Sequence, residues 1–241
     1  MPSFKYPCQP IRIVRFFSIM TLQLETQDDI DAGVRQLLRQ DPRLAEVVAA
    51  AGRPALRRRS GGFAGLAQII VAQQLSTASA GAIWARLTAA FDPLAPDRIR
   101  RARATTLGRI GLSGAKIRAL KAIATDIHKN GLDLDALADI PADDAHRALT
   151  ALHGVGPWTA DIYLLFCLGH ADAWPAGDLA VQEAMRLAFK LKTRPTTKEM
   201  GPLAERWRPL RGVAALLLWT YYRAVKKRDA VPIPPTTPST P

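Results

Sequence analysis

Between residues 28 and 226, apolar side chains recur at helical spacing almost throughout, and no alternating strand pattern interrupts them. Ile30, Val34, Leu37 and Leu38 form one stripe, and Leu44, Val47 and Val48 a second that Gly52 ends. Phe63, Leu66, Ile69 and Ile70 lead into Ala72-Gln73-Gln74-Leu75, after which Ser76 opens a helix bearing Ile83, Trp84, Leu87 and Phe91. Pro93 and Pro96 mark a loop before a basic helix around Arg98 to Arg103. Ser113 then caps a helix carrying Ile117, Leu120, Ile123 and Ile127 that Gly131 terminates. Pro141 starts another with Ala145, Ala148 and Leu149, and a further helix runs from Pro157 to about Leu168, where Gly169 stops it. The last three are predicted near 182–190, 198–207 and 213–225. The pattern predicts an all-α, bilobal fold of many short helices with a cleft between the lobes.

That domain spans 28–226, with its two helical subdomains; residues 1–27 read as a poorly structured extension with Met20 as an alternative start, and 227–241, rich in Pro and Thr, as a disordered tail. A chain of 241 residues can bury one sizeable core or two small lobes. The net charge of +12 favours a polyanionic partner, nucleic acid before an anionic membrane surface. The basic residues are spread over Arg57-Arg58-Arg59, Arg98 to Arg103, Lys116 to Lys121 and Lys190 to Arg194, which suits a broad face that reads a phosphate backbone. No run approaches the ~20 apolar residues of a membrane span, and the basic helices lack the amphipathic aromatic pattern of a membrane-surface helix. Cys8 and Cys167 allow neither a disulfide framework nor a four-cysteine cluster, and a reducing cytoplasm is the simplest home. His128, His146, His153 and His170 lack ligand spacing and are expected at the surface or as caps.

The chemistry gathers in one stretch. Gly154-Val155-Gly156 lets the backbone turn tightly between two helices and expose N–H groups, and Pro157 follows where a first helical residue tolerates a missing donor. That geometry suits a phosphate. Beyond it, Trp174-Pro175-Ala176-Gly177 leads to Asp178, which precedes a good helix opening and reads as an N-cap whose negative charge the helix dipole favours. Asp161 and Asp172 lack this context and are expected to cap or lie at the surface.

These residues resemble the helix-hairpin-helix DNA glycosylases, whose hairpin is followed by a Gly/Pro-rich loop and an aspartate. Within that superfamily, the hairpin Gly154 to Ala160, the segment Asp178-Leu179-Ala180-Val181, the upstream Gln73-Gln74-Leu75-Ser76, and the downstream Trp207 and Leu217-Leu218-Trp219 look like the 3-methyladenine glycosylase II group in a compact form. The similarity covers roughly residues 30 to 225. Relatives that also cut the strand place a lysine where Trp158 stands, and tryptophan cannot form a Schiff base. The missing cluster cysteines argue against the iron–sulfur branches. Where an aspartate pair often ends the loop, this chain has Gly177-Asp178, leaving one carboxylate.

The resemblance implies a monofunctional enzyme, working as a monomer on double-stranded DNA, that flips out an alkylated purine and hydrolyses its glycosidic bond. It implies Asp178 as the catalytic group; Trp158, Trp219 and Tyr163 in the base pocket; and Gly154, Val155, Gly156 and Thr159 with Gln73, Gln74, Leu75 and Ser76 on DNA, Gln74 first among those that fill the gap. No organic cofactor is expected. A structural Na+ or K+ on the carbonyls of Thr150, Leu152 and Gly154 is a further implication of the family, not of the residues. Two rival readings stay open: a non-catalytic helix-hairpin-helix DNA-binding protein, and a glycosylase for uracil, hypoxanthine or oxidised bases.

Overall fold

The computed structural model describes residues 21 to 227. The segment upstream of residue 21, the alternative start and most of the Pro/Thr-rich tail lie outside that range. Twelve α-helices run through the described residues: α1 (Gln27–Gln40), α2 (Leu44–Ala51), α3 (Gly62–Ala72), α4 (Thr77–Ala90), α5 (Pro96–Arg101), α6 (Ala104–Ile110), α7 (Gly114–Asn130), α8 (Ala142–Thr150), α9 (Pro157–Ile162), α10 (Leu179–Ala188), α11 (Thr197–Ala204) and α12 (Arg211–Lys226). Among those residues, the isolated bridge between Gln23 and His170 is the one extended pairing. No helix is long and apolar enough to cross a membrane.

Side-chain caps set the start of five of these helices. Ser76, Ser113, Asp178 and Thr196 each accept from an amide of the first turn, and Thr26 does so in a capping box with Asp29. Gly111, Gly131 and Gly169 take left-handed conformations at the C-terminal ends of their helices. Four details differ from the sequence reading. Residues 104–110 form a separate helix after Arg103, and Ala136–Asp139 forms a 3-10 turn. The helix that starts at Pro157 widens into a π-turn over Tyr163–Leu168. Residues 21 to 27, expected to belong to the extension, are instead tied down: Leu24 N–H donates to the Gly169 carbonyl, Thr21 and Gln23 donate to the Ala138 carbonyl, and Leu24 is buried.

The helices pack in two groups. In one, α12 buries Val213 through Trp219 and lies against α1, α2 and α10. In the other, α7 packs on α3, α5 and α6, while α9 and the π-turn close over α3 and α8 packs on both of them. The path of the chain places α8 and α9 directly before the loop that crosses to α10, so the hairpin stands where the two groups meet.

An ion network fastens that junction. The buried Arg211 guanidinium donates to Asp172 Oδ1 (2.9 Å) and Oδ2 (2.8 Å) and to Asp143 Oδ1 (2.8 Å), and Arg208 reaches the same two aspartates. Partial burial opposes the charge of Asp143, but hydrogen bonds from Arg211 and Arg208 prevail and hold its carboxyl below the usual carboxylate range. Asp172 serves this network and, as expected of a capping residue, also accepts the backbone N–H of Arg211 at the start of α12 (3.2 Å). Asp161 is neither a cap nor at the surface: it is buried, with His146 Nε2 3.5 Å away. Burial pushes the Asp161 carboxyl well above its ordinary value and the His146 imidazole below its own. His170 is likewise buried, its Nε2 2.8 Å from the Leu137 carbonyl.

Asp161 is thus protonated in the folded state at pH values where the unfolded chain has lost the proton. Stability that it contributes at low pH drains away as pH rises above 3.8, the value of the free side chain. Asp161→Asn, which mimics the protonated form, is expected to raise the unfolding free energy at pH 7 and to flatten that decline. Urea unfolding from pH 4 to 8 measures both, and a variant less stable than wild type at pH 7 would reject the assignment.

Candidate active site and nucleic-acid interface

The hairpin owes its shape to two glycines with different duties. Gly154 has φ +84°, and a Cβ there would lie 2.4 Å from the Ala119 Cβ on α7, so a side chain is excluded by conformation and by space alike. Gly156 has an ordinary φ of −86°, and nothing lies within 4 Å of where its Cβ would stand. Neither its conformation nor the space around it within the chain requires glycine there. Val155, between them, is buried, and its N–H donates to the Leu152 carbonyl (3.1 Å). Its assignment to DNA contact is therefore corrected: it anchors the turn to the core. The donors left at this helix start are the N–H groups of Gly156, Trp158 and Thr159, which precede the first intrahelical bond, from Ala160 to the Gly156 carbonyl.

Asp178 caps α10, and its carboxylate draws donors from three helices. Oδ1 accepts from the Ala180 and Val181 amides of α10, both at 3.0 Å, and from Trp219 Nε1 of α12 at 3.0 Å. Oδ2 accepts from Trp158 Nε1 of α9 at 2.9 Å. A carboxylate offers about four acceptor positions over two oxygens. Oδ1 is crowded with three donors and Oδ2 holds one, so Oδ2 is the oxygen with capacity to spare. Asp178 is buried, and the two indoles that reach it cover it from opposite helices.

The aromatic residues expected together do not play equivalent parts. Trp158 is half-buried and keeps part of its surface open to solvent. Trp219 is buried, with its ring 5.6 Å from that of Phe166, so it braces Asp178 more than it lines an open space. Tyr163 is corrected outright: it is wholly buried, and its hydroxyl points to the Gly62 carbonyl at the start of α3 (3.4 Å). The π-turn carries it into the core. Trp174 and Trp207 are core residues and pack edge to face at 5.8 Å.

The loop between α3 and α4 stands beside the hairpin helix. Gln73 Nε2 donates to Thr159 Oγ1 at 2.8 Å, which ties the two DNA-facing candidates to each other. Thr159 is buried, so its hydroxyl serves this link rather than a ligand. Gln74 is exposed at the tip with φ +56°, Leu75 is half-buried, and Ser76 is spent as the N-cap of α4. The chain's basic residues also divide. Lys116, part of the expected phosphate-reading face, donates to the Val71 and Gln73 carbonyls, both at 2.8 Å, and Lys121 to the Arg100 and Ala102 carbonyls at 2.7 and 2.6 Å. Both lysines cap helices from α7. The helical spacing marked them as basic, but a target on a neighbouring helix leaves no trace in a single sequence.

The chain matches the model of the HhH-GPD superfamily base excision DNA repair proteins over residues 67–209. It is 32% identical over 205 residues to a Mycobacterium tuberculosis protein named as a bifunctional transcriptional activator/DNA repair enzyme AlkA, covering 80% of this chain and 40% of that relative. The chain thus spans about two-fifths of the length of that curated relative. Among solved structures, a DNA-3-methyladenine glycosidase of Bacillus halodurans superposes with a TM-score of 0.74 at 27% identity, over 82% of this chain and 92% of that one. The fold also matches a Schizosaccharomyces pombe 3-methyladenine DNA glycosylase in complex with abasic DNA, at a TM-score of 0.69 and 24% identity, over 81% of this chain and 97% of that one.

The two glycines are separable by experiment. Gly154→Ala is expected to lower the unfolding free energy by at least about 1–2 kcal/mol, the cost of a left-handed residue with a Cβ. Gly156→Ala should stay within about 1 kcal/mol of wild type, as an N-cap exchange does, and show its effect as weaker binding to duplex DNA by fluorescence anisotropy. Unchanged affinity at matched salt would remove the hairpin as the phosphate contact.

Proposed function

The chain belongs to the HhH-GPD superfamily of base excision DNA repair proteins, and from that membership we propose that it is a monofunctional DNA glycosylase for alkylated purines of the 3-methyladenine and 7-methylguanine type. It acts as a cytoplasmic monomer on double-stranded DNA. The observation that carries this reading is the Asp178 carboxylate lodged between the indole N–H groups of Trp158 and Trp219 at the N-terminus of α10.

The reacting carbon lies inside the duplex, so the nucleotide must be extruded at a cost of a few kcal/mol, and a side chain must take its place. Gln74, exposed at its loop tip, is proposed for that part, with Leu75 beside it. Alkylation at N3 or N7 leaves the purine cationic, and the exposed face of Trp158 attracts such a cation through the ring quadrupole, by about 1–2 kcal/mol once desolvated. As the bond from the base to the sugar carbon C1′ breaks, its electron pair leaves with the base and neutralises it, while positive charge builds on the sugar. Asp178 Oδ2 supplies the opposing negative charge. Water then bonds to C1′ through its oxygen and gives up its proton to bulk solvent. The donors around Asp178 draw down its electron density, which suits an electrostatic stabiliser that also orients the water. Trp158 offers no amine to attack C1′, so the abasic strand is left uncut.

The hairpin holds a backbone phosphate through the N–H groups of Gly156, Trp158 and Thr159. A monovalent cation on the carbonyls of Thr150, Leu152 and Gly154 belongs to the same proposal. Leu152 fits it, because its carbonyl accepts one hydrogen bond and keeps a second lone pair. Bound there, Na+ or K+ would add positive charge beside the phosphate.

One charge at about 4 Å in an effective dielectric near 20 is worth about 4 kcal/mol, or roughly a thousandfold in rate. Asp178→Asn keeps an N-capping acceptor and is expected to fold, but to release 3-methyladenine from methylated DNA about a thousandfold more slowly. Wild type should leave abasic sites intact, and its DNA affinity should fall steeply with salt. Release by the Asn variant at close to the wild-type rate would reduce Asp178 to a structural cap and favour a plain DNA-binding module.

A further inference from the structure

We infer that Lys116 is a positioning residue for base extrusion: by gripping the end of α3 it presents Gln74 to the DNA. The inference rests on the glycosylase reading above. Gln74 has φ +56°, a left-handed conformation that a residue with a Cβ holds only when its surroundings impose it. The imposing contacts are on either side of it. Leu75 N–H donates to the Ala72 carbonyl (3.3 Å), so the helical pattern is broken and the Val71 carbonyl has lost its ordinary partner. The Lys116 ammonium takes up that carbonyl and the Gln73 carbonyl together, both at 2.8 Å. The second of these belongs to the peptide that enters Gln74. Fixing that carbonyl from inside, while the Gln73 side chain is held by Thr159 Oγ1, fixes the peptide plane and leaves the Gln74 side chain exposed.

A lysine placed merely to cap a helix is the alternative, and the molecule contains a matched control. Lys121, on the same α7, makes two equivalent contacts to the Arg100 and Ala102 carbonyls at the end of α5, away from the loop. Loss of either lysine removes a pair of carbonyl contacts. Only loss of Lys116 should affect extrusion.

The test uses the full chain and single-turnover base release from two duplexes, one with 7-methylguanine paired to cytosine, the other with the same lesion opposite an abasic analogue, where there is no pairing to break. Lys116→Met is expected to slow release at least about tenfold on the paired duplex and less than about twofold on the unpaired one. Lys121→Met should show no such difference between duplexes, Asp178→Asn should be slowed equally on both, and Lys116→Arg should restore most of the paired rate. Should Lys116→Met not fold, Lys116→Gln, which keeps a donor at the site, carries the same comparison. Equal slowing on both duplexes, or none on either, overturns the inference and leaves the glycosylase reading standing. A wild-type protein that releases base from neither duplex overturns that parent reading, and the inference with it.

Discussion

A single carboxylate binds three helices. Asp178 accepts from α10 as its N-cap, from α9 through Trp158 and from α12 through Trp219. A buried carboxylate is stable only when its oxygens are satisfied, so each of these helices must arrive in register for the others to be tolerated. The ion network of Arg208 and Arg211 with Asp143 and Asp172 sets that register from behind, joining α8, the loop before Asp178 and the start of α12. The proposed chemistry and the junction between the helix groups therefore share one support.

Positive charge is used twice in this molecule. A net charge of +12 suggests a face for polyanions, yet several of the cations are turned inward. Lys116 and Lys121 cap neighbouring helices, and Arg211 is buried against two aspartates. Part of the basic composition thus holds the scaffold, and the phosphate-reading capacity is smaller than the formal charge implies.

The sequence was most legible where a residue's chemistry acts on its own backbone. Ser76, Ser113 and Asp178 are caps because a short acceptor lies within reach of the free amides that follow it, and Gly131 and Gly169 end helices because left-handed backbone selects glycine. It was least legible where a side chain's partner is far along the chain. Tyr163 and Thr159 sit on the expected helix, but packing against α3 and Gln73 turns them inward. Asp161 looked like a surface acid because nothing nearby in sequence signals that α8 will cover it with His146. Helical periodicity gave the elements, while the widening at Tyr163 changed which faces they present.

The close approach of Gly154 to Ala119 has a mechanical corollary. Lys116 and Ala119 lie three residues apart on α7, on one face of the helix. Lys116 holds the Gln74 loop through its ammonium, and Ala119 abuts the hairpin at Gly154 with no side chain between those two backbones. α7 is therefore a ruler: the spacing between the two proposed DNA contacts is about 4.5 Å along its axis at the points of attachment. The Gln73–Thr159 hydrogen bond closes the other side of the same frame, joining the loop to the hairpin helix directly. Any breathing between the two helix groups would alter the pocket around Asp178 while the footprint on the duplex stays constant.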